Sequence, residues 1–241
     1  MSQDRIFAEM AAEAGSFEFN DDVAEVFPDM LRRSIPGYEA SIRAIGTLAS
    51  RYVQPGSRCY DLGCSLGAAT LAMQQNISLP GCQIIAVDLA PAMIQRCREI
   101  IAASDSDVDV LIVEDDVRQI TIEQASMVVM NYTLQFLSLE ERDAMIGNIF
   151  DGLNDGGILV LSEKVLDEDD EVEKLLVAMH HEFKRQNAYS DLEISRKRTA
   201  LENVLIPETI SMHRTRLENA GFRHVGIWLR QFNFVSIIAT K

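Results

Sequence analysis

Arg58-Cys59-Tyr60-Asp61-Leu62-Gly63-Cys64-Ser65-Leu66-Gly67 is the stretch on which the fold turns. A Pro-Gly turn at Pro55 and Gly56 leads into a short apolar run, the pattern of a buried first strand. Asp61 falls at the carboxyl end of that strand, and Gly63, Ser65 and Gly67 follow at alternate positions. Ala68, Ala69, Leu71, Ala72 and Met73 then favour a helix. Strand, small-residue loop and helix in this order form the nucleotide-binding opening of a doubly wound, Rossmann-like α/β sheet. The small residues let the loop backbone approach a ligand closely.

Two acids narrow the ligand. A pyrophosphate favours a helix N-terminus but is repelled by a carboxylate beside it, and Asp61 stands two residues before the first glycine. An acid there suits a ligand whose near end is cationic. S-adenosylmethionine (SAM) has an α-ammonium, a sulfonium and no phosphate. Gln83-Ile-Ile-Ala-Val-Asp88 reads as a second strand ending in an acid, 21 residues after Gly67. An acid at that place hydrogen-bonds a ribose. NAD carries the same diol, so Asp88 supports nucleoside binding without choosing between the two. The plain alternative is a βα turn in which Gly63 and Gly67 serve geometry alone; the loop flanked by both acids favours SAM.

The 241 residues fit one large domain or a domain with an insertion, and a hydrophobic content of 47% supports a substantial core. No apolar run reaches membrane-spanning length, and Met-Ser-Gln-Asp-Arg does not read as a secretory start. Cys59, Cys64, Cys82 and Cys97 form no Cys-x-x-Cys pair and have no zinc-ligand spacing. Reduced, partly buried thiols in the cytoplasm and no metal are the expectation. A net charge of −15, from 37 acids against 22 bases, weighs against strong direct nucleic-acid binding.

Along the chain, residues 1 to 20 read as a loosely held arm with Phe17 and Phe19 as anchors. Asp21 to Leu31 reads as a helix capped by Asp21 or Asp22, and a second helix starts at Tyr38 after the Pro36-Gly37 break. After the second strand a helix spans Ala90 to Ala102, with Pro91 in its first turn. Val110 to Val113 is a third strand, followed by Glu114-Asp115-Asp116-Val117, where position alone is equally consistent with an acid that accepts from an adenine amino group and with a solvated loop. Ser126 to Met130 is a fourth strand, which places Asn131 on the rim of the site. A helix to Leu153 and a fifth strand, Ile158 to Leu161, complete the βα rhythm. A helix with an apolar stripe at Val172, Leu175, Leu176, Met179 and Phe183 follows, with core or partner packing expected for the stripe. Phe222 to Thr240 reads as a closing antiparallel hairpin. The organisation expected is a single domain over 1–241, mostly parallel, with helical additions at 1–52 and about 162–203.

The Asp61 loop, Asp88, Asp116, Asn131 and Asn154-Asp155-Gly156-Gly157 together resemble the class I SAM-dependent methyltransferases. A closer resemblance covers nearly the whole chain. Val23-Ala-Glu-Val-Phe-Pro-Asp-Met30, Pro36-Gly-Tyr38, Tyr60 to Thr70, Met179-His-His-Glu-Phe-Lys-Arg185, Leu192-Glu-Ile-Ser195 and Lys197-Arg-Thr-Ala-Leu-Glu-Asn-Val204 resemble the carboxy-S-adenosyl-L-methionine (carboxy-SAM) synthases. That resemblance implies conversion of SAM and prephenate to carboxy-SAM and phenylpyruvate, with carboxy-SAM passed to a tRNA-modifying enzyme acting on wobble uridine. It implies a homodimer. It also implies a SAM pocket at Tyr38, Gly63, Cys64, Ser65, Asp88, Leu89, Asp116, Val117 and Asn131, and Arg198 as the catalytic-site arginine that holds the added carboxylate. Leu89 stands where the family has Asn, and Asp115 where it has Gly. On the residues alone, Arg198 reads as a surface ion-pair former. Two other functions stay open at this point: a conventional methyltransferase on a small molecule or RNA, and a non-catalytic SAM-binding accessory protein.

Overall fold

The computed structural model describes residues 4–9, 18–201 and 204–241; Phe17 lies outside them. Seven strands hydrogen-bond in the order β3-β2-β1-β4-β5-β8-β7, where β1 is Arg58–Leu62, β2 Gln83–Asp88, β3 Asp109–Glu114, β4 Ala125–Asn131, β5 Leu153–Leu166, β7 His224–Gln231 and β8 Phe234–Thr240. The two-residue β6 (Glu208–Thr209) pairs in parallel with the end of β5. β1 to β5 are parallel, and β8 enters antiparallel between β5 and β7 as the expected hairpin. The strand order reverses between β1 and β4, so the crevice beyond their carboxyl ends is the topological switch point where ligands bind in such sheets.

Strand alternation sends side chains to two faces, and each is covered. On one face Leu62, Val128, Met130, Leu159 and Leu161 pack with Met145, Ile146 and Ile149 of α6 (Leu139–Gly152) and Leu217 of α9 (Ile210–Ala220). On the other, Cys59, Ile84, Met127, Ile158 and Val160 meet Ile45 and Ala49 of α3 (Tyr38–Tyr52) and Ala69 and Met73 of α4 (Ala68–Gln74). α5 (Pro91–Ala102) covers the β2 side through Ile94, Cys97 and Ile101. All four cysteines are free and buried.

Above the switch point lies a helical cover. α2 (Asp21–Ser34) packs Val23, Phe27 and Met30 on Leu66 of the loop and Met93 of α5. α7 (Asp170–Gln186) and α8 (Asp191–Leu201) complete the cover. Several expectations are corrected here. Asn20, not Asp21 or Asp22, caps α2: its backbone is extended and its side chain accepts from the Val23 amide at 3.0 Å. β5 runs on to Leu166 through Ser162, Glu163 and Lys164, whose polarity masked it as a strand. α9 was not anticipated, although Thr209 caps its start and Gly221, at φ 111°, its end. The arm is tied down at residues 4–9. The Asp4 amide donates to Asp29 at 2.9 Å, the Tyr189 hydroxyl donates to the Asp4 carboxylate, and Arg33 donates to the Asp4 carbonyl at 3.0 Å. Phe19 packs edge-on against Phe27 and Phe136.

Of the two roles expected for the α7 stripe, core packing is the one the fold corrects. Val172, Leu175 and Met179 are exposed, while His180 and Lys184 are its buried residues. A helix with apolar residues outward and ionisable ones inward is not packed for core burial; its inner face borders a cavity.

Candidate active site

Between sheet and cover lies a cavity of about 1000 Å³. Tyr38, Asp61, Gly63, Cys64, Ser65, Asp88, Leu89, Asp116, Val117, Asn131 and Arg198 all line it, so the fold gathers every site residue expected from the sequence around one space.

The loop after β1 is shaped by three left-handed residues at alternate positions, Gly63 (φ 81°), Ser65 (φ 50°) and Gly67 (φ 80°). Gly63 has no substitute: an added Cβ would lie 2.2 Å from the Thr133 hydroxyl. Asp88 holds this loop. One carboxylate oxygen accepts the Ser65 amide at 2.8 Å and the other the Ala90 amide at 2.9 Å. Each oxygen keeps acceptor capacity toward the cavity.

Asp61 is the more telling acid. It is fully buried, its carboxylate accepts the Thr70 hydroxyl at 2.6 Å, and no cation pairs with it among the described residues. Burial pushes its carboxyl up to about 6, partly opposed by the Thr70 hydrogen bonds, and Asp88 pushes it further up. Asn131, at the end of β4, adds a buried side-chain oxygen with no hydrogen-bond partner. A buried carboxylate without a counter-charge and an orphan acceptor form a receptor for a cation that donates hydrogen bonds.

The Asp61 pKa gives a first prediction. The folded chain holds this proton more tightly than the unfolded chain, whose carboxyl titrates near 3.8. Ligand-free stability should therefore fall as pH rises from about 4 to about 6 and level off above that. Asp61→Asn keeps an acceptor for Thr70 and removes the charge. The ligand-free variant should be more stable than the parent at pH 7, lack that part of the pH slope, and bind SAM more weakly. Thermal unfolding from pH 4 to 7 with and without SAM reads all three; a parental pH slope in the variant would show that Asp61 ionisation carries no such cost.

At the β3 end Asp116 caps a 3-10 turn (Val117–Gln119), and Arg118 covers both its oxygens, which holds its carboxyl below the usual range. An adenine amino group would share this acceptor with Arg118. Leu89 is two-thirds exposed beside it and offers only apolar surface from its side chain. Asp115 has no left-handed backbone, so the position does not require glycine; its amide donates to the Asp88 carbonyl at 3.1 Å.

The opposite end of the cavity is cationic, and of its residues sequence reading had placed only Arg198 in the site. Lys164 from β5, His180 and Lys184 from α7, and Lys197 and Arg198 from α8 line it. Burial, then repulsion from Lys164, pushes Lys184 down to about 8; burial, then Lys184, pushes Lys197 down to about 7. The His180 Nε2 donates to the Ser34 carbonyl at 2.8 Å, and burial with nearby Lys184 holds the ring neutral, down to about 3. Arg198 is exposed and, among the described residues, makes no hydrogen bond or ion pair. These residues lie in three separate segments with no motif spacing, and only the tertiary fold joins them. The sequence signals were the strings Met179 to Arg185 and Lys197 to Val204 that carry the family resemblance; Lys164 had none.

The wall between the ends is held by buried charge. Glu163, on β5, accepts the Leu134 and Gln135 amides, both at 3.0 Å, and so fixes the 3-10 turn Leu134–Phe136. Burial pushes its carboxyl up to about 8, against the pull of Arg142 and the two amides. Arg142, fully buried on α6, donates to the carbonyls of Gln135 (3.2 Å), Leu137 (3.0 Å) and Ile206 (2.8 Å) and to Glu208 at 2.5 Å.

Residues 60–157 match a family model described as a methyltransferase domain. A carboxy-S-adenosyl-L-methionine synthase of Cronobacter sakazakii is 53% identical over 240 residues, covering 100% of this chain and 97% of its own. The synthase of Escherichia coli strain K12 is 54% identical over 239 residues, covering 99% and 97%. This chain belongs to the carboxy-S-adenosyl-L-methionine synthase family. It is thereby an enzyme of the SAM-dependent methyltransferase superfamily, and its fold agrees. A structure from Methanococcus maripaludis assigned to the SAM-dependent methyltransferases superposes with a TM-score of 0.62 at 20% identity, covering 96% of this chain and 97% of that one. No helix among the described residues is long and apolar enough to cross a membrane, and no group of three or more potential ligands is placed to hold a metal ion.

Proposed function

We propose that this member of the synthase family converts SAM and prephenate to carboxy-SAM and phenylpyruvate in the cytoplasm, for use by a tRNA wobble-uridine-modifying enzyme. The observation that carries this reading is a single cavity with uncompensated acid at one end and unpaired cations at the other. A methyl donor for ordinary transfer needs only the acid end; a reaction that adds a carboxylate to a cationic nucleoside uses both. In this reading Asp61 and Asn131 face the ammonium end of SAM, Asp88 the ribose, and Asp116, Val117 and Leu89 the adenine. Tyr38, Gly63, Cys64 and Ser65 form the wall against the sulfonium. The reaction balances if a C–H bond of the sulfonium methyl breaks and a C–C bond to carbon dioxide forms. Prephenate supplies the carbon dioxide, and its ring hydroxyl leaves with the methyl proton as water. The exposed apolar face of α7, with Val172, Leu175 and Met179, is the surface on which we place a homodimer contact. Incubation with SAM and prephenate, followed by mass analysis of the nucleoside, tests the reading. Carboxy-SAM supports it; S-adenosylhomocysteine formed only with a methyl acceptor would replace it with an ordinary methyltransferase.

Arg198 is the residue on which the carboxylate rests in this reading. Arg198→Ala should leave SAM affinity within about twofold and weaken carboxy-SAM by at least tenfold, since a charged hydrogen bond is worth about 1.5–3 kcal/mol. Its exposure in the single chain keeps the figure below that of a buried pair. Arg198→Lys should recover only part, because an ammonium cannot offer two parallel donors. Paired titrations with SAM and carboxy-SAM decide the point; equal losses for both would place Arg198 in the common scaffold.

A further inference from the structure

We infer that Lys164, Lys184, Asn233 and Phe234 form a second subsite, separate from the nucleoside end, that takes a ring-bearing dicarboxylate, with Asn233 as its hydrogen-bonding anchor. The inference rests on the proposed function and names where the second substrate sits. Asn233 is fully buried, lines the cavity, and has neither its side-chain oxygen nor its side-chain nitrogen hydrogen-bonded. Leaving both halves of a buried amide unpaired is costly, and a native chain keeps such a group where a ligand completes it.

The backbone around Asn233 is fixed. Its carbonyl accepts the Val165 amide at 2.8 Å, and the next residue, Phe234, pairs with Lys164 across β5 and β8. Lys164 and Asn233 thus stand side by side at the carboxyl end of β5. Among the described residues neither Lys164 nor Lys184 has an acid within ion-pair distance, and the two repel each other; Glu173 acts on Lys164 only from farther off. Two ammonium groups held together without an acid are arranged for a ligand with two negative charges. Phe234 supplies the apolar floor. Its ring meets His180 at 4.8 Å and Tyr132 at 6.0 Å in T-shaped contacts and lines the cavity, an apolar surface against which a ring can pack. An amide offers one donor and one acceptor together, which matches a hydroxyl on that ring.

The test uses protein loaded with S-adenosylhomocysteine, which has no methyl to react, and reads prephenate binding by calorimetry. Lys164→Met and Asn233→Ala should each weaken prephenate at least tenfold and leave S-adenosylhomocysteine affinity within twofold. If Asn233→Ala loses S-adenosylhomocysteine binding as well, its fold is damaged and Lys164→Met decides. Parental prephenate affinity in a variant that still binds S-adenosylhomocysteine overturns the subsite, as does a parent that binds no prephenate. Lysine-dependent prephenate binding by a parent that makes no carboxy-SAM would keep the subsite and remove the proposed reaction.

Discussion

Asp88→Ala is expected to lower SAM affinity by roughly two to four orders of magnitude. Two ribose hydroxyls would each lose a charged acceptor worth about 1.5–3 kcal/mol. The same carboxylate accepts the Ser65 and Ala90 amides, so the substitution also frees the loop that Gly63, Ser65 and Gly67 shape. Asp88→Asn separates the two effects. It keeps one acceptor for a backbone amide but turns the other position into a donor facing the ligand or Ser65. The Asn protein should therefore retain more thermal stability than the Ala protein while still binding SAM poorly. Calorimetric titration beside thermal unfolding reads both quantities. Parental affinity in a folded Ala variant would place the ribose elsewhere in the cavity.

Arg142→Ala should cost about 3–5 kcal/mol of stability, the scale of a broken buried ion pair. The loss has three parts. The Gln135, Leu137 and Ile206 carbonyls lose their shared donor, Glu208 keeps only Arg216 at 2.7 and 2.8 Å, and a large side chain leaves a void under the cavity wall. Arg142→Met refills most of the space but supplies no donor, so it should recover only the packing part. Urea unfolding of parent, Ala and Met proteins measures the division. A loss below about 1 kcal/mol for Ala would mean that water or Arg216 replaces these bonds at little cost. The segment that ends in Val204, Leu205 and Pro207 lines the cavity, and the Ile206 amide bonds the Gln135 carbonyl at 2.9 Å. Weakening this junction should therefore also raise the substrate concentrations needed for turnover.

Much of the acidic end of the cavity was legible in the sequence because its residues are local to strand ends. Asp61, the small-residue loop, Asp88 and Asn131 each follow a short apolar run, and a parallel sheet brings all such ends to one edge. Apart from Arg198, which the family resemblance supplied, the cationic end was not legible for the opposite reason. Lys164 follows Ser162 and Glu163 in a polar interruption of the strand, and of these three only Lys164 lines the cavity. Lys184 sits on the inner side of a helix whose apolar stripe is largely exposed, so periodicity drew attention to the face away from the cavity. Asn233 reads as a hairpin residue, and only its two unpaired atoms in a closed wall distinguish it. Buried polar residues break the patterns by which elements are recognised, and here they break them at the cavity.

The charge separation along the cavity has a thermodynamic corollary. In the proposed reading, a cation seated by Asp61 and an anion seated by Lys164 and Lys184 would attract each other across the cavity. Each then raises the affinity of the other by the same factor, since coupling between two ligands is reciprocal. The nucleoside product carries one negative charge more than the nucleoside substrate, so it forfeits part of that mutual attraction once the anion has reacted. Synergy on loading and its loss on turnover would favour release of both products from a site that holds both substrates together.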